Sequence, residues 1–180
     1  MKALHPLMPL VMPLVLPVVL AGCASPRPPA VPHQLQPAAN ESLALIVAAT
    51  GVQIYECRAK KEPAAGNEWA FVAPEADLLD ARGNPAGRHY AGPHWEALDG
   101  SKTLGSVKQR ADAPLAGAIP WLLLAARPAG PQGLFSPITS IQRVNTRGGV
   151  APAAGCGPQT AGASARVAYT ADYYFYWSNP

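Results

Sequence analysis

From residue 41 onward, hydrophobic and polar positions follow a period of two in short runs, separated by clusters of Gly, Pro, Asn and Asp. That period places alternate side chains on opposite faces of a strand. Leu43, Leu45 and Val47 alternate with Ala44, Ile46 and Ala48. Val52–Cys57 follows Gly51 with the same period, and Trp69–Ala73 is a third apolar run. Breakers gather in Asp80–Pro85, which predicts a turn. Tyr90-Ala91 and His94–Leu98 flank the rigid Gly92-Pro93 step. Asp99-Gly100-Ser101 predicts a hairpin joining His94–Leu98 to Thr103–Gln109. Trp121–Ala126 is continuously apolar, and periodicity alone does not separate a buried strand from a short helix. Pro120 and Pro128 bound it at strand length, so a buried strand is the expectation. Ile138–Thr146 alternates, Val150–Ala163 is a Gly/Ala/Pro loop, and Arg166–Tyr176 is a last strand dense in aromatics. No run has the 3.6-residue period over three helical turns. Short strands with frequent breakers predict an all-β single domain: a sandwich, with a small β-barrel as the alternative.

The N-terminus follows a different pattern. Apart from His5, residues 3–20 are all Leu, Val, Met, Ala and Pro, behind Lys2. Pro6, Pro9, Pro13 and Pro17 would each remove a helical hydrogen bond, which argues against a stable membrane helix. A basic start, an apolar run and small residues before a cleavage point describe a secretory signal. The run ends in Leu20-Ala21-Gly22-Cys23, the arrangement of a bacterial lipoprotein signal, with Cys23 as the lipidated first residue. A plain secretory signal cleaved elsewhere is the alternative. Several acyl chains at about 0.8 kcal/mol per buried methylene would make the anchor effectively permanent. Ala24 after the cysteine, rather than Asp, fits an outer-membrane lipoprotein facing the periplasm. Residues 24–40 carry Pro26, Pro28, Pro29, Pro32 and Pro37, the composition of an extended tether. The expected organisation is residues 1–22 as signal peptide, 23–40 as lipidated cysteine and tether, and 41–180 as the β-rich domain. Cleavage before Cys23 leaves 180 − 22 = 158 residues, enough for one real core.

Charged residues make up only 14% of the chain and are scattered, so a nucleic-acid partner is not expected. Of three cysteines, lipidation of Cys23 leaves Cys57 and Cys156. In an exported chain the two are expected to bridge, pinning the Gly-rich loop to an early strand; the alternative is two free buried thiols.

The richest concentration of functional residue types is His89–Asp99. His89 and His94, with Glu96 or Asp99, have ligand chemistry but match no recognised spacing, so no metal site and no cofactor are expected. Catalytic candidates are His94, Glu96 and Asp99, as an acid/base set of a small periplasmic hydrolase. Ser101, Ser106, Ser136 and Ser140 sit in no nucleophile-elbow pattern. Tyr90, Trp95 and Trp121, with His89, are the binding candidates, suited to stacking on a small molecule or glycan or to holding a protein partner. In the last strand, alternation sends Tyr174 and Tyr176 one way and Tyr173 and Phe175 the other; one of those faces must be core. Arg143 and Asp172 are charges within β-like runs, candidates for a buried pair between neighbouring strands or, alternatively, for a polar cluster in a pocket. The first reading is an envelope binding or interaction module, the second a hydrolase, the third a structural envelope protein without a ligand.

A set of motifs adds to this: Gly51–Cys57, Gly87–Glu96, Asp99–Ser101, Ile119–Leu124, Gln142–Gly149, Gly155-Cys156 and Tyr169–Tyr176. In that order and spacing they resemble the domain of unknown function 3455 family, found in exported proteins of bacteria and fungi. The resemblance covers most of residues 43–176. It implies a secreted β-rich domain without an established activity, and it places Cys57 and Cys156 at the family's two cysteine positions. Some fungal members carry a malate dehydrogenase label; here no Gly-x-Gly-x-x-Gly follows a strand and no βαβ pattern exists to hold a dinucleotide. Ala168 departs from the family's usual Pro ahead of Tyr169-Thr170-Ala171-Asp172.

Overall fold

The computed structural model describes residues 29–60 and 66–179. Cys23 and the apolar run before it lie outside the described residues. Eight strands follow one another: β1 (Glu41–Ala59), β2 (Asn67–Leu79), β3 (Pro85–Tyr90), β4 (His94–Ala97), β5 (Lys102–Ala111), β6 (Trp121–Pro128), β7 (Ile138–Gly148) and β8 (Ser164–Ser178). Each pairs antiparallel with the next, and β8 returns to pair with β1, so one sheet closes on itself. Of the two expected all-β arrangements, the closed sheet is the one formed. The only helices among the described residues are two 3₁₀ turns, His33–Leu35 and Pro158–Thr160.

β1 joins two expected runs into one strand of 19 residues that passes straight through Thr50-Gly51. Gly51 is there for close approach, not for a break. A Cβ at this position would lie 2.1 Å from the Glu75 carbonyl oxygen and 2.6 Å from the Ala76 Cβ. The turn at Asp80–Asn84 forms as expected, with Asp80 Oδ1 accepting from the Arg82 and Asn84 backbone N–H groups. Ala168 takes an ordinary place in the β1–β8 ladder, opposite Val52.

Val47, Leu78, Phe135, Ile138, Ile141 and Phe175 fill one end of the interior. Phe135 comes from the β6–β7 loop and stacks on Phe175 at 4.7 Å between centroids. Trp95, 1% exposed, stands edge-on to both Tyr173 and Phe175 in the middle.

As the alternation requires, Tyr173 and Phe175 point inward. Tyr176 points outward and is still only 1% exposed, because the chain ahead of β1 covers it. The Tyr176 hydroxyl donates to Gln142 Oε1 at 2.6 Å, and Gln142 Nε2 donates to the Leu35 carbonyl at 2.6 Å. Leu35 is fully buried. The packed part of the chain therefore reaches back past Glu41 into the proline-rich segment. Burial pushes the Tyr176 phenol up to about 12.

Candidate ligand site in the barrel interior

The closed sheet has a notch. Ala76–Leu79 of β2 pair with β3, but Asn67–Glu75 have only β1 beside them. On the other side, Ser106–Ala111 of β5 have only β6 as a strand neighbour. Between these edges the short β3–β4 hairpin stops at the Ala91-Gly92-Pro93 turn. The hairpin is short because Gly92 adopts a φ of 109° and Pro93 has no N–H to extend a ladder.

Behind the notch lies a partly enclosed cavity of about 110 Å³. Phe71 and Pro74 line it from β2, Pro93 from the turn, and Val107 from β5. Phe71 and Val107 are 51% and 58% exposed, so the rim is apolar and open to solvent. Leu122 and Leu124 form the far wall. Gln53, His89, Trp95, Arg143 and Tyr173 supply the polar lining.

The register explains why these side chains meet. Arg143 pairs across the ladder with Tyr173 and with Leu122, so all three share the inward face. His89 pairs with Trp95, and their rings stack at 4.1 Å. Tyr173 meets the His89 ring edge-on at 5.2 Å. Gln53 lies two residues from Tyr55 on the inner face of β1. The Gly148-Gly149 segment closes over them: Tyr55 donates to the Gly149 carbonyl at 2.6 Å. At Gly149, φ is 81° and a Cβ would sit 2.9 Å from the Tyr169 side chain and 3.1 Å from Gln53 Cγ. Only a glycine fits there without displacing the polar lining.

Four interior polar atoms make no hydrogen bond of good geometry among the described residues: Gln53 Nε2, Trp95 Nε1, and the hydroxyls of Tyr169 and Tyr173; Tyr169 still lies in polar contact with Tyr173 and Gln53, and Tyr173 with Arg143. An unsatisfied buried donor costs about 1–3 kcal/mol. Native interiors carry few of them, and here four gather toward one end. Arg143 donates through Nε and Nη2 to the Pro120 carbonyl, at 3.2 and 2.9 Å, which leaves Nη1 free. It makes no ion pair among the described residues. It is also the sole charged residue lining the cavity. His89 adds no second charge. Burial, opposed by the bond to the His94 carbonyl, holds its imidazole down to about 3. Its Nδ1 lies 2.8 Å from that carbonyl and so carries the proton, leaving Nε2 an acceptor. Burial also raises the Tyr169 and Tyr173 phenols, so both stay protonated hydroxyls.

The other sequence candidates are placed apart. His94 and Glu96 lie on the opposite face of β4 from Trp95. His94 Nδ1 is 2.8 Å from the Ala91 carbonyl, within the turn. Glu96 accepts from the Tyr90 hydroxyl at 2.7 Å and pairs with Lys102 at 3.3 Å. Those contacts hold its carboxyl below the usual carboxylate range, the Tyr90 bond first. Asp99 ties the hairpin to the β6–β7 loop. It accepts from Ser101 Oγ at 2.6 Å and from the Leu134 N–H at 2.8 Å, while Ser101 Oγ accepts from the Phe135 N–H at 3.0 Å. Each of the three is engaged in a local contact, and no cleft joins them. Among the described residues, no three His, Cys, Asp or Glu side chains cluster in a way that would hold a metal. Trp121 faces outward from β6, beside an open cleft with Thr50, Asn145 and Asp172. Tyr90 lines a second outer cleft with Arg88 and the Glu75–Arg166 ion pair. The aromatic candidates thus split, Trp95 and His89 inside, Tyr90 and Trp121 outside.

Arg143 and Asp172 do not pair. Arg143 points inward; Asp172, opposite Val144 and exposed Ala48, accepts outside from Asn145 Nδ2 at 2.8 Å. Asn145 sits in the β7 bulge with φ 52°. Gln53 is the polar lining residue that sequence reasoning did not single out; Arg143 it did, as a charge that either pairs with Asp172 or joins a polar cluster in a pocket. An Arg inside an alternating strand, on the parity of Ile141, was the available signal.

The Cys57–Cys156 disulfide closes beside this end of the barrel, across 99 residues. It fastens the loop containing Pro158–Thr160 to β1, as the two cysteine positions led one to expect. The profile of the family described as protein of unknown function (DUF3455) matches residues 37–177. The chain belongs to that family. No curated protein and no solved structure matches it. The DUF3455 match begins at Pro37, two residues after buried Leu35, and ends one residue short of the end of β8, so it spans all of the cavity lining.

Proposed function

We propose that this protein is a lipid-anchored module of the bacterial envelope, facing the periplasm from the outer membrane, that binds a small molecule inside its barrel. The observation that carries the reading is a partly enclosed cavity, opening through a notch in the sheet, whose lining includes Gln53, Trp95 and Tyr173 with polar atoms that make no hydrogen bond of good geometry among the described residues. Barrel mouths are common places for ligand sites, and apolar walls with a few convergent polar groups are their usual lining. The disulfide fits an oxidising compartment. The Leu20–Cys23 run supports the anchor. No acid/base pair faces the cavity, so binding accounts for the geometry better than hydrolysis does.

Native mass spectrometry of the full chain, purified from the membrane fraction, tests the binding reading. A bound small molecule is expected, and Val107→Trp, which fills the exposed rim, should abolish it. A bare parent protein, or equal retention in Val107→Trp, counts against the reading. Cys23→Ala tests the anchor separately. If that variant is processed and membrane-bound just as the parent is, the lipoprotein reading fails.

A further inference from the structure

We propose that the ligand of this cavity is a small organic acid, held by its carboxylate on Arg143 and the Tyr173 hydroxyl. The inference rests on the binding reading above and names the ligand class. The lining is rich in donors. Arg143 has donors and no acceptor, and the Trp95 indole N–H and Gln53 Nε2 are donors too. Tyr173 can donate its hydroxyl proton, since among the described residues no acceptor meets it in good geometry and its contacts with Tyr169 and Arg143 use its oxygen. Among the described residues no Asp or Glu lines the cavity, so Arg143 presents a positive charge to whatever enters.

A guanidinium with a free Nη1 edge beside a hydroxyl matches a carboxylate's two oxygens. A hydrated inorganic anion fits the walls poorly, because Leu122, Leu124, Phe71 and Val107 offer it nothing. A volume of about 110 Å³ equals about four water molecules at roughly 30 Å³ each. That room suits a carboxylate and a short apolar stem. The rest of the ligand would leave through the notch, across Phe71 and Val107.

Hexanoate, hexan-1-ol and inorganic phosphate are the probes. Titration into the full chain is read by calorimetry and by Trp fluorescence, since Trp95 lines the cavity. Hexanoate is expected to bind at least tenfold tighter than hexan-1-ol, and phosphate not to compete. Arg143→Gln should cost hexanoate at least tenfold while leaving hexan-1-ol within about twofold. If Arg143→Gln fails to fold, Arg143→Lys, which keeps the charge but loses the fork, should weaken hexanoate severalfold. Equal binding of acid and alcohol, unaffected by either Arg143 variant, overturns the carboxylate assignment and leaves the cavity a binding site. Competition by phosphate overturns the organic-acid assignment. Absence of saturable binding by hexanoate overturns the inference whatever adduct the purified protein carries, so the two readings can fail separately.

Discussion

The two ends of the barrel interior are built on opposite rules. At one end, Phe135 stacks on Phe175 among Ile138, Ile141 and Leu78 of the apolar core. Asp99 and Ser101 lock the loop that delivers Phe135. Toward the other end, Gln53, Tyr169 and Tyr173, with Trp95 in the middle, bury polar atoms that make no hydrogen bond of good geometry, and the ladder between β2 and β5 is interrupted. The first arrangement stabilises the fold; the second costs stability. A sheet of the same length with apolar residues at Gln53 and Arg143 would be easier to fold. Their presence beside a notch is the physical reason for placing function at this end.

The polar end lacks a dense core and is stapled from outside, so the largest effect should come from its disulfide. Replacing Cys57 and Cys156 together by Ser frees a loop of 99 residues. The chain-entropy estimate is a loss of about 4–5 kcal/mol. Chemical denaturation of the oxidised parent against the double variant measures it. A loss under about 1 kcal/mol would mean that the Gly148–Gly149 cover holds this end without help.

The dry end comes next. Phe135→Ala should cost about 3–5 kcal/mol, because a fully buried ring is lost from a stack that has little freedom to collapse. Thermal unfolding checks it. A small loss would show that the β6–β7 loop is not a structural plug, and the contrast between the ends would weaken.

How much of this was legible in the sequence follows the same division. Alternation of Arg166–Tyr176 announced β8, because one face is apolar and a one-residue slip would expose it, whereas Ile138–Thr146 announced β7 by its period alone, since its inward face carries Arg143. The Asp99-Gly100-Ser101 turn was legible for local reasons as well. Gly51 misled, since a glycine needed for close approach to Glu75 looks in sequence like a breaker. Leu35 was hidden among prolines, and its burial depends on Gln142 and Tyr176, more than 100 residues away. The site itself was half visible. His89 and Trp95 stood out by residue type. Arg143 and Gln53 gained meaning only when closure of β8 onto β1 brought β1, β3, β7 and β8 around one cavity.

Acid should distinguish the ends through His89. The folded imidazole has its value lowered to about 3, whereas the unfolded one titrates near 6.5. Between those values the unfolded chain binds a proton that the folded chain rejects, so stability falls as pH falls. The slope approaches about 1.4 kcal/mol per pH unit below 6.5. Carboxylates such as Glu41, lowered in the fold by Thr139 and Ser140 against desolvation, add a similar loss only at lower pH. Unfolding free energies from pH 7 to 5 therefore isolate the histidine. His89→Gln should flatten that part of the curve; an unchanged slope would place the proton elsewhere.

The smallest effect is the most telling. Tyr173→Phe removes one buried hydroxyl and little else, because the ring keeps its edge-on contacts with Trp95 and His89. A hydroxyl with a good internal partner would cost about 1 kcal/mol to delete. This one makes no hydrogen bond of good geometry among the described residues, only looser contacts with Tyr169 and Arg143, so deletion should leave the ligand-free protein unchanged within about 0.5 kcal/mol or slightly more stable. Hexanoate affinity should fall at the same time. Stability retained with binding lost is the signature of a group kept for a ligand. A loss of 1 kcal/mol or more without ligand would mean that Tyr173 is satisfied within the barrel and belongs, with Phe175, to the dry end.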